Sequence, residues 1–216
     1  MLAFSSLLGN VEGQNIYRIW YDKPASYWEE ALPVGNGRIA AMVFGDPQLE
    51  QIQLNEETVS AGSPYQNYNE EAKTALPEMR RLIFEGKYEE AQNMAATKIL
   101  SQVGNEMPYQ TVGRLNIRYQ DHKKVNNYYR DLDISNAVAV TRYEVDGVEF
   151  TEETFASFTD QLVIRHIKAS KPGTINCELF FNTPMRDPKR SIYGKKGLRL
   201  EGITHGSRYF PGKVHY

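Results

Sequence analysis

A single cysteine, Cys177, stands in the 216 residues, which excludes an internal disulfide. It leaves the compartment open, because exported chains often have no disulfide either. No apolar run approaches the roughly 20 residues that a membrane-spanning helix requires, so no membrane partner is expected. An excess of one charge is also missing. Basic residues number 25 and acidic residues 27, well interspersed, for a formal net charge of -2. The basic face that a nucleic-acid partner demands is therefore not foreseen. Histidines are few: His122, His166, His205 and His215. None lies at ligand spacing from another His, Cys or Asp, so neither a metal site nor any other cofactor is expected. There is no G-x-S-x-G to mark a serine nucleophile. Hydrophobic residues make up 41%, enough for an ordinary core.

What is present is best read from "ALPVGNGRIAAMVFG", Ala31 to Gly45. Gly35-Asn36-Gly37-Arg38 invites comparison with a phosphate cradle. A dinucleotide site, however, needs a strand before its glycines, a helix after them and a third glycine. Here the apolar run follows the glycines and reads as a strand, Ile39 to Phe44. Being apolar on both phases, it is expected to be covered on both faces.

Strand-like alternation continues through most of the chain. It marks Asn15–Tyr21, "LEQIQLNE", "QLVIRHIKA", "TINCELFF" and, more weakly, "KGLRLEG". Cys177 shares a phase with Ile175, Leu179 and Phe181 and reads as a small buried hydrophobe. His166 alternates with Leu162 and Ile164 and reads as a packed histidine. In "TRYEVDGVEFTEE", Asp146-Gly147 predicts a two-residue primed turn. That turn sets Val145 opposite Val148 and Tyr143 opposite Phe150, with Glu144 and Glu149 facing each other on the other side. From Glu70 to about Leu100 the period changes to that of a helix, with Gly86 as a stop between two apolar stripes. Pro77 lies in the first turn or kinks the first helix. The fold class expected is mainly β: an antiparallel β-sandwich with a helical hairpin inserted around residues 70–100.

Acidic doublets recur at Glu29-Glu30, Glu56-Glu57, Glu70-Glu71, Glu89-Glu90 and Glu152-Glu153. Neighbours on a strand point to opposite faces, so a doublet makes no catalytic pair, and most are read as solvated. "QLNEETVSAGSPYQNYN" differs in kind. Its amides, carboxylates and rings on a loop suit sugar hydroxyls and apolar sugar faces, and equally suit a capped strand end. At the amino terminus, "MLAFSSLLGNVEGQ" has a short apolar core with small residues at Val11 and Gly13 but no basic start. Residues 1–13 are expected to be a partial export signal or a disordered tail, with residues 14–216 forming one domain in the periplasm or outside the cell.

Longer motifs carry a resemblance. "WEEALPVGNGRIAAMVFG" from Trp28, "IQLNEET" from Ile52, "LPEMRRLIFEGKYEEAQ", "YQTVGRL", "YYRDLDISNAVAVTRYEVDGVEFTEETFASFTDQLVIRH" and "GKVHY" are linked in order along the chain. Together they make Asn15–Tyr216 similar to the amino-terminal domain of glycoside hydrolase family 95. The resemblance implies a large β-sandwich (a super-sandwich) that packs on a catalytic (α/α)6 barrel. It also implies α-L-fucosidase activity, in some members α-L-galactosidase activity, with inversion at the anomeric carbon. In that family the general acid and the residues that activate water lie on the barrel, so no catalytic residue is assigned to this chain, whose sandwich is expected to be incomplete at "GKVHY". The candidates for sugar contact or for the domain interface are Asn36, Arg38, Asn55 and Glu56, with the barrel and fucosylated glycans as partners. Two departures stand out: Val59-Ser60-Ala61-Gly62 where the family has Leu-Trp-Ser-Gly, and Gly113-Arg114-Leu115 where it has Gly-Asp-Leu.

Two further readings remain. A stand-alone carbohydrate-binding module would present Trp20, Trp28, Tyr65, Tyr68 or Tyr109 as a platform, with Trp28 better suited to core or interface. A structural interaction domain would expose a broad apolar face instead.

Overall fold

The computed structural model describes residues 17–61, 67–101, 107–206 and 212–215. The expected export signal, Tyr65 and the Gly62 turn lie outside these residues. The chain divides into two compact units, one from Met1–Leu54 with Arg114–Phe180, the other from Asn55–Gly113 with Phe181–Tyr216.

The first unit is a sandwich of two five-stranded sheets. One sheet is built from β1 (Arg18–Tyr21), β6 (Val125–Asp133), β7 (Val138–Val145), β8 (Val148–Ser157) and β9 (Leu162–Ala169), in that order. The other contains β2 (Leu32–Gly35), β3 (Ile39–Val43), β4 (Leu49–Glu56), β5 (Gly113–Tyr119) and β10 (Cys177–Asn182), in the order β10-β5-β4-β3-β2. Every pairing whose register is resolved is antiparallel. The Asp146-Gly147 turn forms as expected. Both residues have positive φ, +49° and +75°, as a type I′ turn requires. Val145 pairs with Val148, Tyr143 with Phe150 and Glu144 with Glu149. Glu149 is exposed and Glu144 accepts from Asn127 Nδ2 at 2.9 Å, so the like charges are relieved on the solvent side.

Between the sheets, Leu32, Val34, Ala41, Val43, Ile52 and Ile117 meet Leu132 and Ala139 across the core. A smaller cluster of Tyr143, Val145 and Phe150 continues it along the first sheet. Each fully buried aliphatic side chain contributes about 1.5–3 kcal/mol. On β3 only one phase is buried. Ala41 and Val43 face the core, whereas Ala40 is exposed and Met42 half-buried, so the expected two-sided cover is not found. Cys177 is half-buried against the core and burial pushes its thiol up, while Leu179 on the same phase is exposed. His166 is not packed: it is exposed, with Nδ1 3.2 Å from Glu153 Oε2. The packed histidine is His122, stacked on Tyr119 at 4.4 Å between centroids and tilted against Phe150 at 4.5 Å.

The second unit carries the helical insertion, α1 (Ala72–Phe84) and α2 (Tyr88–Met94), the latter continued by a π-helical turn, Ala95–Ile99. Ala75, Leu82 and Ala91 are its buried residues. At the hairpin bend Gly86 has φ +75°, Gly86 N–H donates to Ile83 O and Lys87 N–H to Leu82 O. This is a Schellman closure, and the left-handed position explains the glycine. Pro77 sits inside α1, past the first turn, where it deprives the Lys73 carbonyl of its helical donor. Beyond the insertion, β11 (Arg186–Tyr193) and β12 (Gly197–Ile203) form a two-stranded ribbon, and Ile203 bridges His215.

Candidate functional site

In the first unit, Gly35-Asn36-Gly37-Arg38 closes the β2–β3 hairpin. Gly37 takes φ +91°, which a side chain would resist. Asn36 is buried, and its Oδ1 accepts from the backbone N–H of Arg38 (3.1 Å) and Ile39 (2.9 Å). Its Nδ2 donates to Ser157 O at 2.7 Å, tying the hairpin to the end of β8. Asn36 thus holds the turn and Arg38 is carried at its exposed tip.

In the second unit, Asn55 and Glu56 are the last two residues of β4. Glu56 Oε2 accepts from Thr58 N (2.8 Å) and Thr58 Oγ1 (2.5 Å), which curls the chain. Tyr109 Oη donates to Glu56 O at 2.9 Å, and Ser60 pairs with Tyr109 as a short bridge. Asn55 Oδ1 is buried and accepts no hydrogen bond among the described residues. Asn36 and Arg38 therefore share one turn, and Asn55 and Glu56 share one ledge.

The densest chemistry lies away from the candidate residues, between the sheets of the first unit. Arg165 on β9 donates through Nη2 to Glu50 Oε2 on β4 at 2.7 Å and to Glu152 Oε2 on β8, and through Nη1 to Thr154 Oγ1 at 2.8 Å. Glu50 Oε1 also accepts from the N–H groups of Phe44 (3.1 Å) and Gly45 (2.9 Å). Glu152 Oε1 accepts from Tyr119 Oη (2.5 Å) and Tyr143 Oη (2.7 Å). His122 Nδ1 lies 2.9 Å from Pro47 O, and burial lowers its affinity for a proton. Glu50 is 0% exposed and Glu152 1%. Burial pushes Glu50 up to about 7 despite the opposing pull of Arg165. Burial alone would lower Arg165, but Glu50 and Glu152 raise it above its ordinary value. Both tyrosines are raised, by burial first and by Glu152 next. Glu152 belongs to one of the acidic doublets, most of which were read as solvated. The signal against that reading was in the hairpin register, which puts Glu152 on the inward phase with Phe150 and Thr154.

A second buried cation, Arg130, supports the loop after β1. It donates to Lys23 O (2.8 Å) and Glu30 O (2.7 Å) and lies 4.1 Å from the Tyr21 ring centroid. The loop it holds carries Tyr27 and Trp28, both more than half exposed, so Trp28 is not a core residue.

Comparison with known proteins decides the family. Residues 19–214 match the family model described as "Glycosyl hydrolase family 65, N-terminal domain". The chain belongs to this family. As a glycosyl hydrolase amino-terminal domain, it is 37% identical over 181 residues to "Alpha-L-fucosidase 2" of Arabidopsis thaliana, a match covering 81% of this chain and 21% of that protein. It is also similar to two proteins named "Probable alpha-fucosidase A". The one from Aspergillus niger is 26% identical over 162 residues, 70% of this chain and 20% of the relative. The one from Aspergillus oryzae is 25% identical over 211 residues, 92% and 28% respectively. The glycosyl hydrolase domain thus spans between a fifth and just over a quarter of the length of the curated relatives it matches.

Proposed function

We propose that this chain is the amino-terminal β-sandwich of an α-L-fucosidase of glycoside hydrolase family 95, that it is not itself catalytic, and that it braces an (α/α)6 barrel which hydrolyses α-L-fucosides of glycans with inversion. The observation that carries the reading is the family match over residues 19–214 together with the α-fucosidase names of the relatives. The geometry favours a supporting role. Glycoside hydrolysis needs two carboxyl groups flanking a bond that a substrate can reach. Glu50 and Glu152, both almost fully enclosed, each accept three hydrogen bonds and are sealed between sheets. Such groups hold structure and meet no sugar. Arg38, exposed on its turn, and the Asn55-Glu56 ledge are the groups assigned to the partner domain or to the mouth of its active site, with Asn36 setting the turn. Secretion to the periplasm or exterior fits a glycan substrate.

The test compares hydrolysis of p-nitrophenyl α-L-fucoside by the 216-residue chain with that by the longest polypeptide its gene encodes. Turnover by the longer polypeptide alone is the expected result. Fucose release by the chain itself, abolished by Glu56→Gln, overturns the reading, as does a longer polypeptide that cleaves only other glycosides.

A further inference from the structure

One exposed corner of the first sheet is not absorbed by that role. Period-two alternation sends Arg18 and Trp20 of β1, an edge strand, to the face opposite the core, beside Tyr129, Asp131 and Asp133 of β6. Next to Tyr129, β6 carries a bulge: the register with β7 shifts between Asn126 and Tyr129, and Asn127 has φ +52°. A bulge re-aims side chains. Here Tyr128 turns inward and donates to Gly45 O at 2.6 Å, while Tyr129 lies 6.2 Å from Trp20 with the ring planes 19° apart. Trp20 remains 60% exposed.

Around the ring pair the ionic groups neutralise one another. Arg18 Nε lies 2.9 Å from Asp131 Oδ2, Arg18 Nη2 3.5 Å from Asp133 Oδ2, and Arg142 Nη1 3.6 Å from Asp131 Oδ1. Two guanidiniums and two carboxylates leave no net charge. Asp131 is 1% exposed and lies beneath both guanidiniums, one on each carboxylate oxygen. Cross-strand packing accounts for a stacked pair. It does not account for leaving an indole in water above a charge-neutral ionic cluster.

We infer that Trp20 and Tyr129, with Arg18 and Arg142, form a binding site for a neutral oligosaccharide. The apolar C–H face of a pyranose packs on the rings. Adjacent hydroxyls accept from the N–H groups of Arg142, whose side chain is 48% exposed. A charged glycan gains nothing from a patch of zero net charge. The site goes beyond the proposed fucosidase role and stands or falls separately, because its test involves no hydrolysis.

Since the chain has two tryptophans, a Trp28→Phe background makes Trp20 the sole indole. That protein is titrated with cellohexaose, 2′-fucosyllactose and the acidic hexagalacturonate, following indole emission and, for Trp20 variants, heat release. The expected result is a saturable change with a neutral sugar, and weaker binding of hexagalacturonate. Trp20→Ala abolishes binding, and Tyr129→Ala or Arg142→Ala weakens it roughly five- to tenfold. Trp20→Phe, which keeps a ring, retains it and guards against misfolding of the alanine variant. No saturable response to either neutral sugar overturns the inference. So does a preference for the acidic one, or binding unchanged by Trp20→Ala. Shielding of Trp20 from acrylamide in the longer polypeptide, without sugar, would mark the patch as a protein interface and likewise overturn it.

Discussion

Replacing Arg165 by methionine isolates the contribution of the buried ionic belt. The substitution keeps most of the side-chain volume and removes three hydrogen bonds, to Glu50, Glu152 and Thr154. Each carboxylate keeps two donors: the Phe44 and Gly45 amides on Glu50, and the Tyr119 and Tyr143 hydroxyls on Glu152. What is lost is the cation that two enclosed acids share, and breaking a buried pair this way costs about 3–5 kcal/mol. That cost depends on pH. With its cation gone, Glu50 can relieve the repulsion by binding a proton, so the penalty is largest at pH 8 and shrinks toward pH 5.

The unsubstituted protein has a pH dependence of its own with a definite sign. The folded Glu50 titrates at about 7, above its ordinary 4.5. Between those values the native state holds a proton that the unfolded chain has released. Stability from this group is therefore fully present below about pH 4.5 and is lost as pH rises through about 7, by about 3 kcal/mol in all. Urea unfolding followed by far-UV circular dichroism at pH 5.5 and 8 measures both effects. An Arg165→Met protein within about 1 kcal/mol of the parent at pH 8 would refute the argument, given the range for broken buried pairs. Equal destabilisation at both pH values would refute its electrostatic part.

Three further outcomes follow from single residues. Tyr143→Phe removes one of three donors on Glu152 and should cost about 1–2 kcal/mol in urea unfolding. Gly45→Ala forces φ +73° on a side chain whose Cβ would lie 2.8 Å from Tyr128 Oη and 2.9 Å from Arg130 Cδ, and should cost about 2 kcal/mol or more. Arg130→Lys loses one of the carbonyl contacts at Lys23 and Glu30 and the stacking on Tyr21. It should speed amide hydrogen exchange across residues 22–31 while leaving β8 and β9 protected.

The elements that could be read from the sequence are those in which local and long-range demands agree. Asp146-Gly147 fixes its own turn, so a register of seven residue pairs followed from two residues. The helical hairpin was equally clear because its stripe changes period and Gly86 ends α1 in the conformation that glycine favours. β5, β6 and β11 were not anticipated. β6 carries Asn126, Asn127 and Asp131 and is bulged, and β11 is exposed along its whole length, so neither shows the alternation that a half-buried strand displays. Of the candidate site residues, Asn36 was legible as part of a turn, but the hydrogen bond its side chain makes to Ser157 spans 121 residues and leaves no local trace. His166 was read as packed for the same reason: a period-two neighbourhood describes a strand, whereas the histidine that is packed, His122, is buried by rings from β5, β7 and β8.

The polar belt does something for the fold that the apolar clusters cannot. Sliding β8 by one residue against its neighbours would turn its apolar set outward, which the core forbids. Sliding it by two keeps the same phase inward, and Val148, Phe150 and Thr154 would still meet mostly apolar or small neighbours. Hydrophobic patterning alone leaves that slip open. With the belt in place, a two-residue slip sets Phe150 or Thr154 at the position of Glu152. Arg165 then loses one of its two carboxylates, and the hydroxyls of Tyr119 and Tyr143 lose their shared acceptor. Each buried donor so stranded costs about 1–3 kcal/mol. Only one alignment of β4, β5, β7, β8 and β9 satisfies all of these groups at once, so the charges that add least to net stability carry the register.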